Sequence, residues 1–254
     1  MADESRTLTE RVRARDLVIG TFVSLGSPAV TNLLATVGFD FALIDLEHGA
    51  GNEAVLQNQM FAAEAGGATA MVRVETLDRI RIGHALDLGA TAIMLPRVDS
   101  VSQAAEAVAH LRYPPAGDRG VAGSNRARRW STRTAPFADA DAEIAAVVQI
   151  ESAEAVADAE RIAAVEGVDA LFIGPSDLSH SLGVPGDLQA PAFRDAVAAV
   201  LAAAREHDLA AGILAAGPEP ARAFIDEGFS LIVLSADVNL LAVAARDALA
   251  RTRA

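Results

Sequence analysis

Residues 145–177 read AAVVQIESAEAVADAERIAAVEGVDALFIGPSD, and this stretch holds the repeating unit of the fold. An unbroken apolar run (145–150) leads into an alanine-rich amphipathic segment (153–165), then Gly167, then a second apolar run (170–173). A strand that is hydrophobic without alternation is covered on both faces, the condition of a parallel sheet flanked by helices. Gly167 stands where the helix must stop before the chain re-enters the sheet. Both runs then meet groups that a core would reject: Gln149 and Glu151 at the end of the first, Gly174-Pro175-Ser176-Asp177 after the second.

The same unit recurs outward in both directions. Apolar runs at 17–23, 41–44, 70–74, 92–95, 210–214 and 231–234 complete a set of eight. Helical segments fall at 53–65, 79–88, 102–111, 192–206, 220–227 and 240–250. Gly38, Gly66-Gly67, Gly89 and Gly228 repeat the stop signal, and Gly38-Phe39-Asp40 and Gly167-Val168-Asp169 form a faint internal echo. Eight strand–helix units in 254 residues predict an α/β fold, a closed (β/α)8 TIM barrel. It would be one domain over residues 1–254, with 1–16 a helical or extended lead-in. A doubly wound open sheet is the lesser alternative. Residues 112–134 break the short-loop pattern, with Tyr113-Pro114-Pro115 and the basic cluster Arg126, Arg128, Arg129 and Arg133. A segment this long inside a compact domain reads as functional.

Composition removes several chemistries. There is no cysteine, and all 21 basic side chains are arginines. Without lysine there is no Schiff-base aldolase, pyridoxal-phosphate enzyme or Walker-type phosphate loop. Without cysteine there are no disulfides, thiolate nucleophiles, zinc fingers or iron–sulfur clusters. A formal net charge of −13 argues against nucleic acid as a partner, because that binding neutralises phosphates with clustered cations. No apolar run approaches the roughly 18–20 residues of a membrane span. Residues 1–16 lack the apolar core of a secretory leader, so a cytoplasmic location is expected.

In a βα barrel the strand C-termini converge on one mouth, and the active site lies there. The runs deliver Asp45, Glu47 and His48, then Arg73 and Glu75, Arg97 and Asp99, Gln149 and Glu151, and Asp177. Glu151 and Asp177 come from neighbouring strands and offer two hard oxygen donors, suited to Mg2+ or Mn2+. The same two residues could instead be unrelated helix N-caps. His48 would be a general base with Asp45 fixing its tautomer and Glu47 its position, or else a structural histidine. His84, His110 and His207 are expected on helices as solvated or capping groups, and His180 in a mouth loop. Arg73 is either a clamp for a carboxylate or enolate oxygen, or an ion pair with Glu75, Glu47 or Asp45. A metal, a base and an anion clamp together remove a proton beside a carbonyl and stabilise the enolate. With no lysine to form an iminium, the metal is the electrophile.

The chain resembles the HpcH/HpaI family of metal-dependent pyruvate aldolases, which includes 4-hydroxy-2-oxoheptanedioate and 2-keto-3-deoxy-sugar-acid aldolases. The resemblance runs from Gly20 to about Val243. It rests on Ile44-Asp45-Leu46-Glu47-His48, Val72-Arg73-Val74, Leu86-Asp87-Leu88-Gly89, Arg112-Tyr113-Pro114-Pro115, Arg119-Gly120-Val121, Gln149-Ile150-Glu151-Ser152 and Ile173-Gly174-Pro175-Ser176-Asp177-Leu178. It implies that Glu151 and Asp177 hold Mg2+ or Mn2+, with Co2+, Ni2+ or Zn2+ as alternatives. It implies Arg73 on the keto or enolate oxygen, His48 with Asp45 as base, and Gln149 and the backbone near Ser176 on the pyruvate end. Asp87 would reach a neighbouring subunit's site, Leu214 would line the aldehyde pocket, and the last helix (240–250) would be exchanged between partners in a hexamer, a trimer of swapped dimers. The sequence departs from the usual family pattern at Leu46, Gly49-Ala50-Gly51, Ser176 and the basic stretch 123–129, which leaves the aldehyde open. The rival activities are 2-oxo-acid decarboxylation and CoA-ester cleavage on the same superfamily scaffold. A non-catalytic barrel serving as a binding protein is the distant alternative.

Overall fold

The computed structural model describes residues 6–253, so the first five residues of the expected lead-in lie outside the described residues. The chain runs α1 (Leu8–Arg13), β1 (Val18–Val23), α2 (Pro28–Val37), β2 (Phe41–Asp45), α3 (Glu53–Ala65), β3 (Thr69–Arg73) and α4 (Arg79–Asp87). It continues β4 (Ala92–Leu95), α5 (Val101–Leu111), a 3-10 turn (Arg126–Arg128), α6 (Phe137–Asp141), β5 (Ala145–Ile150), α7 (Ala153–Ala157) and α8 (Ala159–Ala163). It ends β6 (Ala170–Ile173), α9 (Pro175–Ser181), α10 (Pro191–Glu206), β7 (Ala210–Ala215), α11 (Pro218–Glu227), β8 (Leu231–Ala236) and α12 (Asp237–Arg253). All eight strands pair in parallel and in sequence order, and β8 closes on β1. The open doubly wound sheet is thereby excluded.

Side-chain parity sorts the strands into two cores. Alternate residues such as Phe41, Leu43, Met71, Met94, Val147 and Phe172 fill the barrel, while Ala42, Ile44, Val72, Ile93, Val148 and Ile173 pack under the helices. The interior is narrow enough that a Cβ on Gly20 would sit 2.4 Å from the Phe41 ring, so glycine there makes room for the phenylalanine. One sequence expectation is corrected. The segment read as a single helix over 153–165 is two short helices that meet at Asp158, the C-cap of the first and the N-cap of the second, whose backbone (φ −99°, ψ 4°) departs from the helical region.

The lead-in forms a plug at the strand-start end. Leu8 and Val12 of α1 join the interior cluster, and Thr9 Oγ1 donates to the carbonyls of Thr91 (3.1 Å) and Glu143 (2.8 Å). The Gly-x-Asp echo has its reason here. Asp40 takes Arg11 at 2.7 Å and the Ile19 N–H at 2.7 Å, and Asp169 takes Arg13 at 2.7 Å and the Ala146 N–H at 2.8 Å. Each carboxylate ties α1 to the backbone of a strand.

Residues 112–134, expected to be functional, leave from the C-terminal end of α5 and are pinned largely against the strand-start half of the barrel. Arg112 donates to the carbonyls of Asp141 (2.9 Å) and Gly167 (3.3 Å), and Arg126 to that of Leu88 (2.9 Å). Arg119 and Arg128 stack on Tyr113 and Phe137 at 4.4 and 4.2 Å. Arg126, Arg128 and Arg133 thus bind within this chain while Arg129 is exposed, and the cluster does not frame its own mouth. His110 is also corrected: it is buried, with Nδ1 2.7 Å from Asp118 Oδ1, where a solvated helix position was expected.

Candidate active site

Parity carries the interior layers upward into the mouth. Asp45 follows Phe41 and Leu43 on the inward face of β2, Arg73 follows Met71 on β3, and Gln149 follows Ala145 and Val147 on β5. The register then decides the pairing. Asp45 lies opposite Arg73, and the Arg73 guanidinium grips it with Nε on Oδ1 (2.9 Å) and Nη2 on Oδ2 (2.8 Å). Nη1 reaches Glu47 Oε2 at 3.2 Å, and the group lies 4.6 Å from the centre of the Phe22 ring. A guanidinium has five N–H groups, so two on Nη1 and Nη2 remain for a substrate oxygen.

This arrangement changes the reading of His48. Asp45 is only 3% exposed, and both its oxygens are held by Arg73. It does accept the backbone N–H groups of Glu47 (3.1 Å) and His48 (3.3 Å), so it shapes the turn on which His48 stands. It does not hold the imidazole. The ring is exposed, and its carboxylate neighbour is Glu47, 3.9 Å from Nε2. Glu47, and not Asp45, is placed to orient it.

Glu151 is the electrostatic centre of the mouth. It is 5% exposed, its Oε1 accepts the Arg97 backbone N–H at 2.8 Å, and its Oε2 accepts Gln149 Nε2 at 2.7 Å. Burial, chiefly, pushes its carboxyl up to about 7, and the charges of Asp177 and Glu47 push the same way against the Arg97 N–H and Arg73. Asp177 stands exposed in the first turn of α9 and caps nothing: the N-cap position is Gly174, which has no side chain to offer. The two-caps alternative therefore loses its support. Gly174 itself is required, because a Cβ there would sit 2.7 Å from Glu151 Oε2 and 2.8 Å from Gln149 Nε2.

Among the described residues no three His, Cys, Asp or Glu side chains converge as a ready metal cage. A cation held here would have Glu151 and Asp177 and take its other ligands from water and substrate, the habit of Mg2+. The residues fit that role. The charges of Asp177 and Glu47 both bear on the buried Glu151 carboxyl, and the buried Gln149 Oε1 has no hydrogen-bond partner among the described residues.

The remaining expected residues separate clearly. Leu214 is half-buried at the end of β7, resting on the interior cluster at the mouth. Ser176 is exposed, and its carbonyl accepts from Ser179 Oγ and His180 Nδ1, both at 2.8 Å. Asp87 is not with them. It ends α4, which runs back toward the strand-start face, and it pairs there with Arg119 at 3.0 Å. An arginine-lined cavity of about 440 Å³ (Arg119, Arg126, Arg129, Arg133) also lies at that far end, away from the polar mouth. Sequence reading named Arg97 and Gln149 but missed their joint grip on Glu151. No sequence signal marks a left-handed arginine (φ 49°) whose N–H turns to a carboxylate 54 residues away.

Comparison with known proteins shows the family and the fold. The family model described as HpcH/HpaI aldolase/citrate lyase matches residues 18–244. A hydroxypyruvate/pyruvate aldolase of Paraburkholderia phytofirmans is 38% identical over the full length of both chains. A 5-keto-4-deoxy-D-glucarate aldolase of Klebsiella pneumoniae is 37% identical over 89% of each. The crystal structure of an HpcH/HpaI aldolase/citrate lyase family protein from Burkholderia cenocepacia superposes with a TM-score of 0.94 at 39% identity, covering 97% of this chain and 99% of that one. The barrel, its acidic mouth and this similarity together make the chain a member of the HpcH/HpaI aldolase/citrate lyase family and a carbon–carbon lyase.

Proposed function

We propose that the protein catalyses the reversible aldol cleavage of a 4-hydroxy-2-oxo acid to pyruvate and an aldehyde, with a divalent ion held by Glu151 and Asp177. The observation that carries this reading is the juxtaposition at one mouth of a buried, charge-repelled carboxylate (Glu151) and a buried arginine with donors to spare (Arg73). When bound, the ion would supply the electrophile that polarises the 2-keto group, the part a lysine plays in imine-forming aldolases. Arg73, locked by Asp45 and Glu47, donates to the oxygen on which enolate charge develops. His48, beside Glu47, takes the 4-hydroxyl proton as the C3–C4 bond breaks. Gln149 and the backbone near Ser176 hold the pyruvate end, and Leu214 flanks the departing aldehyde. The relatives are named as a hydroxypyruvate/pyruvate aldolase and a 5-keto-4-deoxy-D-glucarate aldolase, which supports an aldol reaction on a 2-oxo acid here.

The active form is a homo-oligomer, a hexamer of swapped dimers. In its support, α12 is seventeen residues long and buries only Asp237, leaving Leu241, Val243 and Leu249 exposed for a partner. Asp87 lies too far from its own mouth to serve it, and a neighbour's mouth is its place of action. No helix among the described residues is long and apolar enough to cross a membrane.

Pyruvate incubated with the protein in D2O tests the half-reaction. The methyl signal should exchange in the presence of Mg2+ or Mn2+, and Glu151→Gln with Asp177→Asn should abolish both exchange and calorimetric Mn2+ binding. Absence of exchange with every divalent ion overturns the reading.

A further inference from the structure

Among the described residues no side chain holds the His48 ring in a hydrogen bond. The ring is exposed, and its carboxylate neighbour, Glu47, stands 3.9 Å away, beyond hydrogen-bond reach. The direction of the imidazole therefore follows the turn 46–51 that carries it. Asp45 fixes the front of that turn by accepting the Glu47 and His48 N–H groups, and Gly49 lies so close to the Asp45 carbonyl that a Cβ there would meet it at 2.2 Å. The back of the turn is fixed from β1. The Ala50 N–H donates to the Ser24 carbonyl at 2.7 Å, and a Cβ on Gly26 would fall 3.1 Å from the Gly51 nitrogen, so the two backbones are in contact. The segment after β1 is the seat on which the His48 turn rests.

One carboxylate holds that seat. Asp237 is 3% exposed; its Oδ1 accepts the Ser24 N–H and its Oδ2 the Leu25 N–H, both at 3.0 Å. Its contact with its own helix, α12, is the Val238 N–H on Oδ1 at 2.7 Å. The helix start thus engages one oxygen, and the second belongs wholly to the segment after β1. The strand before it is built to deliver the group. β8 pairs with β1 at Val233 and Gly20 and again at Ala236 and Phe22, so β8 takes three steps where β1 takes two. Ser235 lies in this bulge at φ 59°, a left-handed conformation that a residue other than glycine adopts at a cost. Bulges beside active sites re-aim side chains, and this one brings Asp237 to the end of β1.

We propose that Asp237 is a positioning residue for the catalytic base. By holding the Ser24 and Leu25 N–H groups it fixes the Ser24 carbonyl, which fixes Ala50 and with it the direction of His48. It acts through the turn and not on the substrate. This rests on the reading of His48 as base given above.

The test is a double-mutant cycle with Asp237→Asn and His48→Ala, read as aldol addition of pyruvate to glycolaldehyde with Mn2+. The isosteric Asn offers one acceptor oxygen in place of two, so the seat loses part of its support. In Asp237→Asn kcat should fall by about 10- to 100-fold, the penalty of a misdirected catalytic group, with the KM for pyruvate and calorimetric Mn2+ binding unchanged. Asp237→Ala should fall at least as far. In the His48→Ala background the same Asn change should move the residual rate by less than about 2-fold, because no base is left to misdirect. A simple loss of folded enzyme would carry over undiminished. Hydrogen exchange read by mass spectrometry follows the seat without reference to activity. Peptides across residues 22–27 and 46–52 should lose protection in Asp237→Asn while those of β4 and β5 keep it. An equal fold-loss with and without His48, or unchanged protection at 46–52, overturns the proposal. A wild-type enzyme that exchanges no pyruvate protons with any divalent ion, or a His48→Ala variant that keeps the full rate, overturns the reading of the site instead, so the failures are distinguishable.

Discussion

At the scale of the residue, the Asp45–Arg73 pair illustrates what a sequence discloses and what it withholds. Both residues declare themselves as polar groups ending apolar runs. Their mutual grip does not, because it depends on the parallel register that sets Asp45 opposite Arg73. From sequence proximity alone Asp45 belongs to His48, three residues away; in the fold both its oxygens face a strand partner 28 residues away. The pair is deeply buried, and removing one member leaves the other charge uncompensated at a cost of about 3–5 kcal/mol. Arg73→Ala should therefore lower the melting temperature by on the order of 10 °C for a chain of this size, along with losing activity. Adding Asp45→Asn to that variant removes the orphaned charge while keeping an acceptor for the Glu47 and His48 N–H groups. The double variant should regain most of the melting temperature and none of the activity, read by calorimetry beside the pyruvate exchange assay. Recovery of neither would show that the pair does not act by charge compensation.

At the scale of the element, the strands were nearly transparent to sequence reading, since double-sided burial leaves an unmistakable apolar run. Joints were less so. The anchoring of residues 112–134 depends on distant carbonyls and carboxylates that no local pattern reports. The end of α6 is such an anchor. Asp141 accepts the Tyr113 N–H with both oxygens (3.1 and 3.2 Å), and burial, outweighing that hydrogen bond and the attraction of Arg112, raises its pKa above the usual carboxylate value of 3.8. A carboxyl whose pKa is raised on folding favours the native state when protonated. Its contribution is full below the unfolded value and is lost as pH climbs through the folded one. At pH 7 the ionised Asp141 is therefore a burden. Asp141→Asn keeps an acceptor for Tyr113 and should increase the urea midpoint at pH 7, with the gain shrinking toward pH 4. An equal gain at both pH values would assign the effect to packing and not to charge.

At the scale of the whole molecule, the topology of one barrel sets a limit on its own chemistry. Helices return the chain from the mouth to the strand-start face, and α4 spends nine residues, roughly 13 Å of rise, carrying Asp87 away from β3. Within a single chain Asp87 and His48 belong to opposite ends. If both serve catalysis, each working mouth draws His48 from one subunit and Asp87 from another, and the exposed apolar side chains of α12 give the copies a reason to associate. This makes a complementation experiment decisive. His48→Ala and Asp87→Ala should each be nearly inactive as homo-oligomers. Co-expressed in equal amounts, they form mixed assemblies in which a mouth is complete when its owner keeps His48 and its neighbour keeps Asp87. Random assortment makes that about one mouth in four, so the mixture should recover about a quarter of wild-type activity. Chains mixed after assembly should recover it only as fast as subunits exchange. Recovery to no more than the mean of the two parents would place Asp87 in a purely structural pair with Arg119, the contact it makes within its own chain.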